Sequence, residues 1–240
     1  MKRILVLGDS ITFGHGCSDR QFHWDNNNSR YIGDSDSFRN GPSKHCWAQY
    51  IQDELGYFVV NLSMSGNNNT NMAWQCIQAV HENKQQFDHI IAAFSYDDRL
   101  EWAHPDSNNA ISASVLSPPP MLLNKYPRWD QAIKLFAEEL YHPDWGVKLS
   151  HMAINTVANI ARETGAQFNW SAPEFNQTES GSSISPALRS TQIPSMTKHF
   201  GLWHNGRMLT AEDTPYTAID GHPSELAHQE YFKTIIKPII

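Results

Sequence analysis

Unbroken apolar runs and amphipathic stretches take turns along this chain. Ile4-Leu5-Val6-Leu7 shows no polar alternation, the pattern of a parallel strand covered by helices on both faces, and predicts a strand over 3–8. Residues 44–55 place Trp47, Tyr50, Ile51 and Leu55 on one helical face, with Gly56 as the C-cap. A second strand is expected over 58–62, running into Ser65-Gly66-Asn67. A helix over 71–85 follows, marked by Met72, Trp74, Ile77 and Val80, and then a third strand over 88–95. Helical patterning returns across about 129–141 and more firmly across 148–164, where Gly165 caps it. Residues 166–170 read as the fourth core strand, and a last helix spans about 224–236, begun by Pro223-Ser224 and closed before Pro238.

Strand and helix alternating four times predict a parallel sheet sandwiched by helices. Three segments interrupt the pattern, near 15–43, 99–127 and 171–218, rich in Asn, Asp, Ser, Thr and Pro and without a regular period. With no internal repeat and no linker-like tract, residues 1–240 read as one domain with long loop insertions. Long insertions in compact domains are more often functional than idle.

Composition narrows the classes. The chain has 18 basic and 25 acidic residues, a net charge of −7, which argues against a general nucleic-acid binder. With 40% hydrophobic and 11% aromatic residues it can fill a sizeable core. No apolar run reaches about 18 residues, so no membrane span is expected. Met1-Lys2-Arg3 resembles the start of a signal peptide, but the apolar run after it ends at Gly8-Asp9, short of the roughly 7–15 residues an export segment needs. The three cysteines, Cys17, Cys46 and Cys76, are odd in number and widely spaced, and read as free thiols of a reducing, cytoplasmic compartment. The twelve histidines are dispersed without metal-ligand spacing, so no metal site is expected; His199 and His204 read as surface residues.

In sheets of this kind ligands bind beyond the carboxyl ends of the strands. There the sequence puts Gly8-Asp9-Ser10-Ile11-Thr12, Ser65-Gly66-Asn67, Tyr96-Asp97-Asp98-Arg99, and, before the last helix, Asp220-Gly221-His222-Pro223. A serine hydroxyl becomes a useful nucleophile when a base takes its proton, and imidazole suits that task near neutral pH. The imidazole in turn needs a partner on its other nitrogen, and the oxyanion needs preorganised N–H donors.

Gly8-Asp9-Ser10-Ile11-Thr12, Gly66 after a Val-Asn-Leu strand, and Asp220-x-His222-Pro223 resemble the blocks of the SGNH, or GDSL, hydrolase superfamily. Trp47 at the first helix and the Ala227-His228 pair add to the match, which runs from the first strand to the last helix. The resemblance implies a three-layer α/β/α fold (the flavodoxin-like SGNH hydrolase fold), a serine esterase mechanism and no cofactor. It implies Ser10 as nucleophile, His222 as base and then acid, Asp220 as the residue orienting the imidazole, and the N–H groups of Ser10 and Gly66 as oxyanion donors.

Two departures stand out. The family's third block carries an asparagine whose amide is a further oxyanion donor, and here Asp97 stands at that position. A carboxylate only accepts, so either Asp97 points elsewhere, or it is protonated, or Asn67 or Arg99 takes over. Asp220 also precedes His222 by two residues where the commoner pattern has three.

Blander roles compete for several residues. Gly33-Asp34-Ser35 repeats the first motif with no strand before it. Asp9 suits an Asx-turn, with site-shaping as a consequence. His222-Pro223 and Asp220 could simply begin and cap the last helix, and His228 reads as a packing or surface histidine. Asn67-Asn68-Asn69 could hold a substrate hydroxyl or start a helix. Asp9, Asp97 and Arg99 are also candidates to bind substrate, Arg99 by placing a cation near the end of the third strand, or it could pair with Glu101 or Asp98. Trp24, Tyr31, Trp102, Trp129, Trp145 and Trp203 offer a platform for sugars or plain packing. The expected function is hydrolysis of an O-acyl ester of a carbohydrate or other small polar molecule. The rivals are a non-catalytic glycan- or protein-binding module and an O-acyltransferase.

Overall fold

The computed structural model describes residues 1–20, 22–25, 30–33, 41–97, 99–103, 110–114, 127–173, 184–204, 207–218 and 221–240. Strand β1 (Arg3–Gly8) runs into a one-turn helix, α1 (Ser10–Phe13). An antiparallel ladder then pairs β2 (Phe22–Asp25) with β3 (Arg30–Gly33). Next come α2 (Trp47–Leu55), β4 (Phe58–Asn61), α3 (Asn69–Ile77) and β5 (His89–Ala93). A second ladder joins β6 (Arg99–Ala103) to β7 (Ala110–Ser114). Helices α4 (Pro127–Leu135) and α5 (Pro143–Thr164) lead to β8 (Gln167–Ser171). Short helices α6 (Pro186–Arg189) and α7 (Met196–His199), a small ladder of β9 (Trp203–His204) with β10 (Arg207–Met208), and α8 (Glu225–Tyr231) complete the order.

The central sheet has the order β4-β1-β5-β8, and every pairing is parallel. Strand period two sends Leu5, Leu7, Ile90 and Ala92 to one face, where they pack with Met72 and Cys76 of α3 and Ile154 and Val157 of α5. Ile4, Val6 and Ile91 face the other way, onto Trp47 and Ile51 of α2 and Tyr231 of α8. Both faces are covered, which is why the central strand β1 reads without polar alternation. The result is the expected three-layer α/β/α sandwich. Among the described residues no helix is long and apolar enough to cross a membrane.

Several boundaries differ from the sequence reading. Segments 15–43 and 99–127 contain the ladders β2–β3 and β6–β7, whose pairing is carried by backbone bonds that side-chain periodicity does not report. Within 171–218, Ser185 and Ser195 cap the one-turn helices α6 and α7. Helix α5 starts at Pro143, with proline in its first turn, ahead of the firm apolar pattern. Pro238 does not end the last helical stretch, because it sits in the first turn of a 3-10 segment, Lys237–Ile239, where its missing N–H is not needed. Trp74 is 50% exposed: two residues beyond buried Met72 it lies about 200° round the helix. The three thiols are free and buried, and burial raises them, Cys46 to about 11 and Cys76 to about 12.

Candidate active site

The site begins where β1 stops. Asp9 caps α1, its Oδ1 accepting from Ile11 N at 3.0 Å, as an Asx residue at a turn should. Its other oxygen, Oδ2, accepts from Ser95 Oγ at 2.8 Å and from Arg99 Nη1 at 3.4 Å. Asp9 is only 4% exposed, so these bonds are what make an ionised carboxylate tolerable there. Ser10 follows as the first residue of α1.

The chain returns to this corner 212 residues later. Ala218 N donates to His222 O at 2.8 Å and Gly221 N to Ala218 O at 3.0 Å, holding His222 beside Ala218, and Ser224 then caps α8. His222 Nε2 lies 3.2 Å from Ser10 Oγ. The approach depends on Gly16, which the sequence reading did not single out. Gly16 has φ +92°, and a Cβ there would stand 2.5 Å from Pro223 O and 3.1 Å from His222 Cβ. Only a residue without a side chain lets the segment after α1 lie against the His222 turn. His15 sets its ring edge-on to His222, centroids 5.1 Å apart. Asp220 lies outside the described residues.

The second and third blocks are tied into the same corner. After β4, Met64 N and Asn67 Nδ2 both donate to Gly8 O, at 3.1 and 3.0 Å. Gly66 lies in the turn between them, at φ +73°. Asn67 Nδ2 also donates to Gln75 Oε1 at 3.0 Å. With both amide hydrogens bound, the Asn67 side chain is not the replacement oxyanion donor entertained above. The asparagine run is structural: Asn68 caps α3 through Asn71 N at 2.8 Å. Asn69 grips Ser95, accepting from its N–H at 2.6 Å and donating to its carbonyl at 3.0 Å. Arg99, expected to pair with Glu101 or Asp98 if not with substrate, pairs with Asp9 and also donates to Asn67 O at 3.3 Å.

Asp97, at the family's asparagine position, is half-buried, and its carbonyl presses on Gly146 of α5, where a Cβ would collide with it. His228 is wholly buried, and its Nδ1 accepts from Trp47 N at 3.2 Å. Cys46, the N-cap of α2, makes no side-chain capping bond, so His228 meets a donor at that helix start from across the core. Burial, and then the neighbouring His222, push His228 down to about 3, so it stays neutral. Of the aromatic candidates, Trp145 and Trp203 are exposed, while the side chains of Trp24, Tyr31, Trp102 and Trp129 lie outside the described residues. Among the described residues no group of three or more His, Cys, Asp or Glu side chains is arranged to hold a metal ion.

No protein-family model matches the sequence, and no curated protein matches it. Solved structures do resemble it. A carbohydrate esterase whose active site displays divergent catalytic and non-catalytic binding functions superposes with TM-score 0.53 at 11% identity, over 99% of this chain and 68% of that one. The psychrotrophic esterase EstA from Pseudoalteromonas sp., inhibited by monoethylphosphonate, gives 0.50 at 13% identity over 100% and 98%. A family two carbohydrate esterase from Clostridium thermocellum, in complex with cellohexaose, gives 0.50 at 11% identity over 97% and 61%. At these identities the likeness establishes the fold, and the chain has that of the SGNH esterases.

Proposed function

We propose that this SGNH-fold chain is a serine esterase acting on an O-acyl group, an acetyl in the first instance, carried by a carbohydrate or other small polar alcohol. The observation that supports it is the 3.2 Å approach of Ser10 Oγ and His222 Nε2 at the carboxyl edge of the sheet. Ser10 Oγ bonds to the ester carbonyl carbon as its proton passes to His222 Nε2. The Ser10 and Gly66 N–H groups take the oxyanion charge. The C–O bond to the alcohol then breaks, and the alcohol leaves with the proton from His222. Water attacks the acyl-enzyme with His222 again as base. Asp220 orients the imidazole, a role carried over from the family pattern, and no cofactor enters.

Ser10→Ala should lower turnover of p-nitrophenyl acetate by about 10⁴-fold or more, and a fluorophosphonate should label Ser10 in the native chain. Undiminished turnover in the variant would remove Ser10 as nucleophile. Asp97 favours a second reading, since a carboxylate stands where the family has a donor. An unlabelled Ser10 would turn the argument toward a glycan- or protein-binding module. An O-acyltransferase would use the same residues and would be recognised by acylated product when a sugar acceptor is supplied.

A further inference from the structure

Asp97 leaves the oxyanion position without the family's amide, and Asn67 does not fill the gap because Gly8 O and Gln75 Oε1 take its hydrogens. Arg99 does something different. Its Nη1 donates to Asp9 Oδ2 at 3.4 Å and to Asn67 O at 3.3 Å. One acceptor belongs to the residue before Ser10, the other to the residue after Gly66. A single nitrogen thus staples together the two turns that carry the backbone N–H donors. The bond to Asp9 is charge-assisted, and with the two side chains 6% and 20% exposed it is only partly screened by solvent.

Resting on the esterase reading above, we propose that Arg99 is a positioning residue. It holds the Gly66 turn in register with the Ser10 corner, so that two backbone donors serve where the family pattern uses three. The strength of an oxyanion hole lies in donors already aimed before charge develops. A turn released from the staple would have to be ordered during the reaction, slowing acylation without weakening ground-state binding.

The test uses the full chain, with functional sites counted by fluorophosphonate titration. Arg99→Met keeps the aliphatic stem and removes the guanidinium. Acylation by p-nitrophenyl acetate, per titrated site, should slow about 30- to 100-fold with KM changed by less than about threefold. Arg99→Lys should recover much of the rate, because one nitrogen makes both bonds. An arginine that merely supports the fold would lower the melting temperature and the number of titratable sites while leaving the rate per site unchanged. That outcome, or a lysine variant no faster than the methionine one, overturns the proposal. Arg99→Gln, polar but too short to reach, is read the same way if the methionine variant does not fold. Absence of labelling at Ser10 in the native chain would instead overturn the esterase reading, so the two failures are separable.

Discussion

The two ends of the central sheet treat polar groups in opposite ways. At the amino end, Lys2, Arg3, Gln86, Asp88 and Gln167 border an open cleft of about 550 Å³. Its ties are solvent-exposed: Arg3 N donates to Asp88 Oδ2 at 2.7 Å and Arg3 Nε to Gln86 O at 3.0 Å, while the guanidinium lies over the Phe58 ring at 4.8 Å. At the carboxyl end Asp9, Asn67, Asn69 and Ser95 are buried and bonded to one another's turns, and the pocket beside Asp9 and Thr12 measures about 30 Å³. Among the described residues the larger cleft lies away from Ser10 and His222. A buried polar group must be bonded or it is costly, so the carboxyl end has one satisfactory arrangement. Solvated groups round an open cleft have many. Preorganisation follows from burial with partners, and the space available says little about it.

The contrast can be broken at three points. Gly16→Ala should do most harm: its Cβ would meet Pro223 O, a backbone atom, in a conformation that disfavours any side chain. We expect a loss of about 1–3 kcal/mol in urea unfolding and about a 100-fold drop in p-nitrophenyl acetate turnover as His222 is displaced. Native turnover in that variant would mean the His222 turn is far less constrained than its packing indicates.

The next effect appears with acid. His228 titrates near 3 when folded against its ordinary 6.5, so between those values the unfolded chain binds a proton that the folded chain does not. Stability from this group is complete above about pH 6.5 and falls as pH drops, by up to about 1.4 kcal/mol per unit. Replacing it by glutamine, His228→Gln, keeps an acceptor for Trp47 N and removes the titration. Its unfolding free energy should fall less steeply from pH 6.5 to 4. Some slope should persist, because burial also lowers His89 and His151. Identical slopes in the two proteins would show that His228 is reached by solvent.

Gln86→Ala, at the open cleft, should change least. Gln86 is exposed and its bond to Arg3 comes from its backbone carbonyl. Stability should move by less than about 0.5 kcal/mol and turnover should match the native chain. An activity loss there comparable to that of Gly16→Ala would reverse the contrast between the two ends.

How much of this was legible beforehand varies with the kind of evidence each feature needs. The four core strands, the helices α2, α3, α5 and α8, and the buried face of α2 follow from apolar spacing and helix punctuation, while Trp74, an apolar marker of α3, is half exposed. Asp9 at the turn is also readable, from Asx chemistry, whereas the place of His228 inside a helix left packing and surface roles both open. The β2–β3 and β6–β7 ladders were not readable, since backbone pairing leaves little trace in side chains. The bonds of Asn67 to Gly8 O and Gln75 Oε1 were not readable, because those partners, distant in sequence, are visible only after folding.

Order along the chain, then, was enough to set the layers, the polarity of the sheet and the list of residues at its carboxyl edge, because short-range periodicity and helix punctuation govern all three. Which of those residues meet was decided only by tertiary packing. The bond from Arg99 to Asp9, the contact of Gly16 with Pro223 and the approach of Ser10 to His222 each join segments whose separation carries no local signal. They form because a buried donor or acceptor takes whatever partner the completed fold brings within reach.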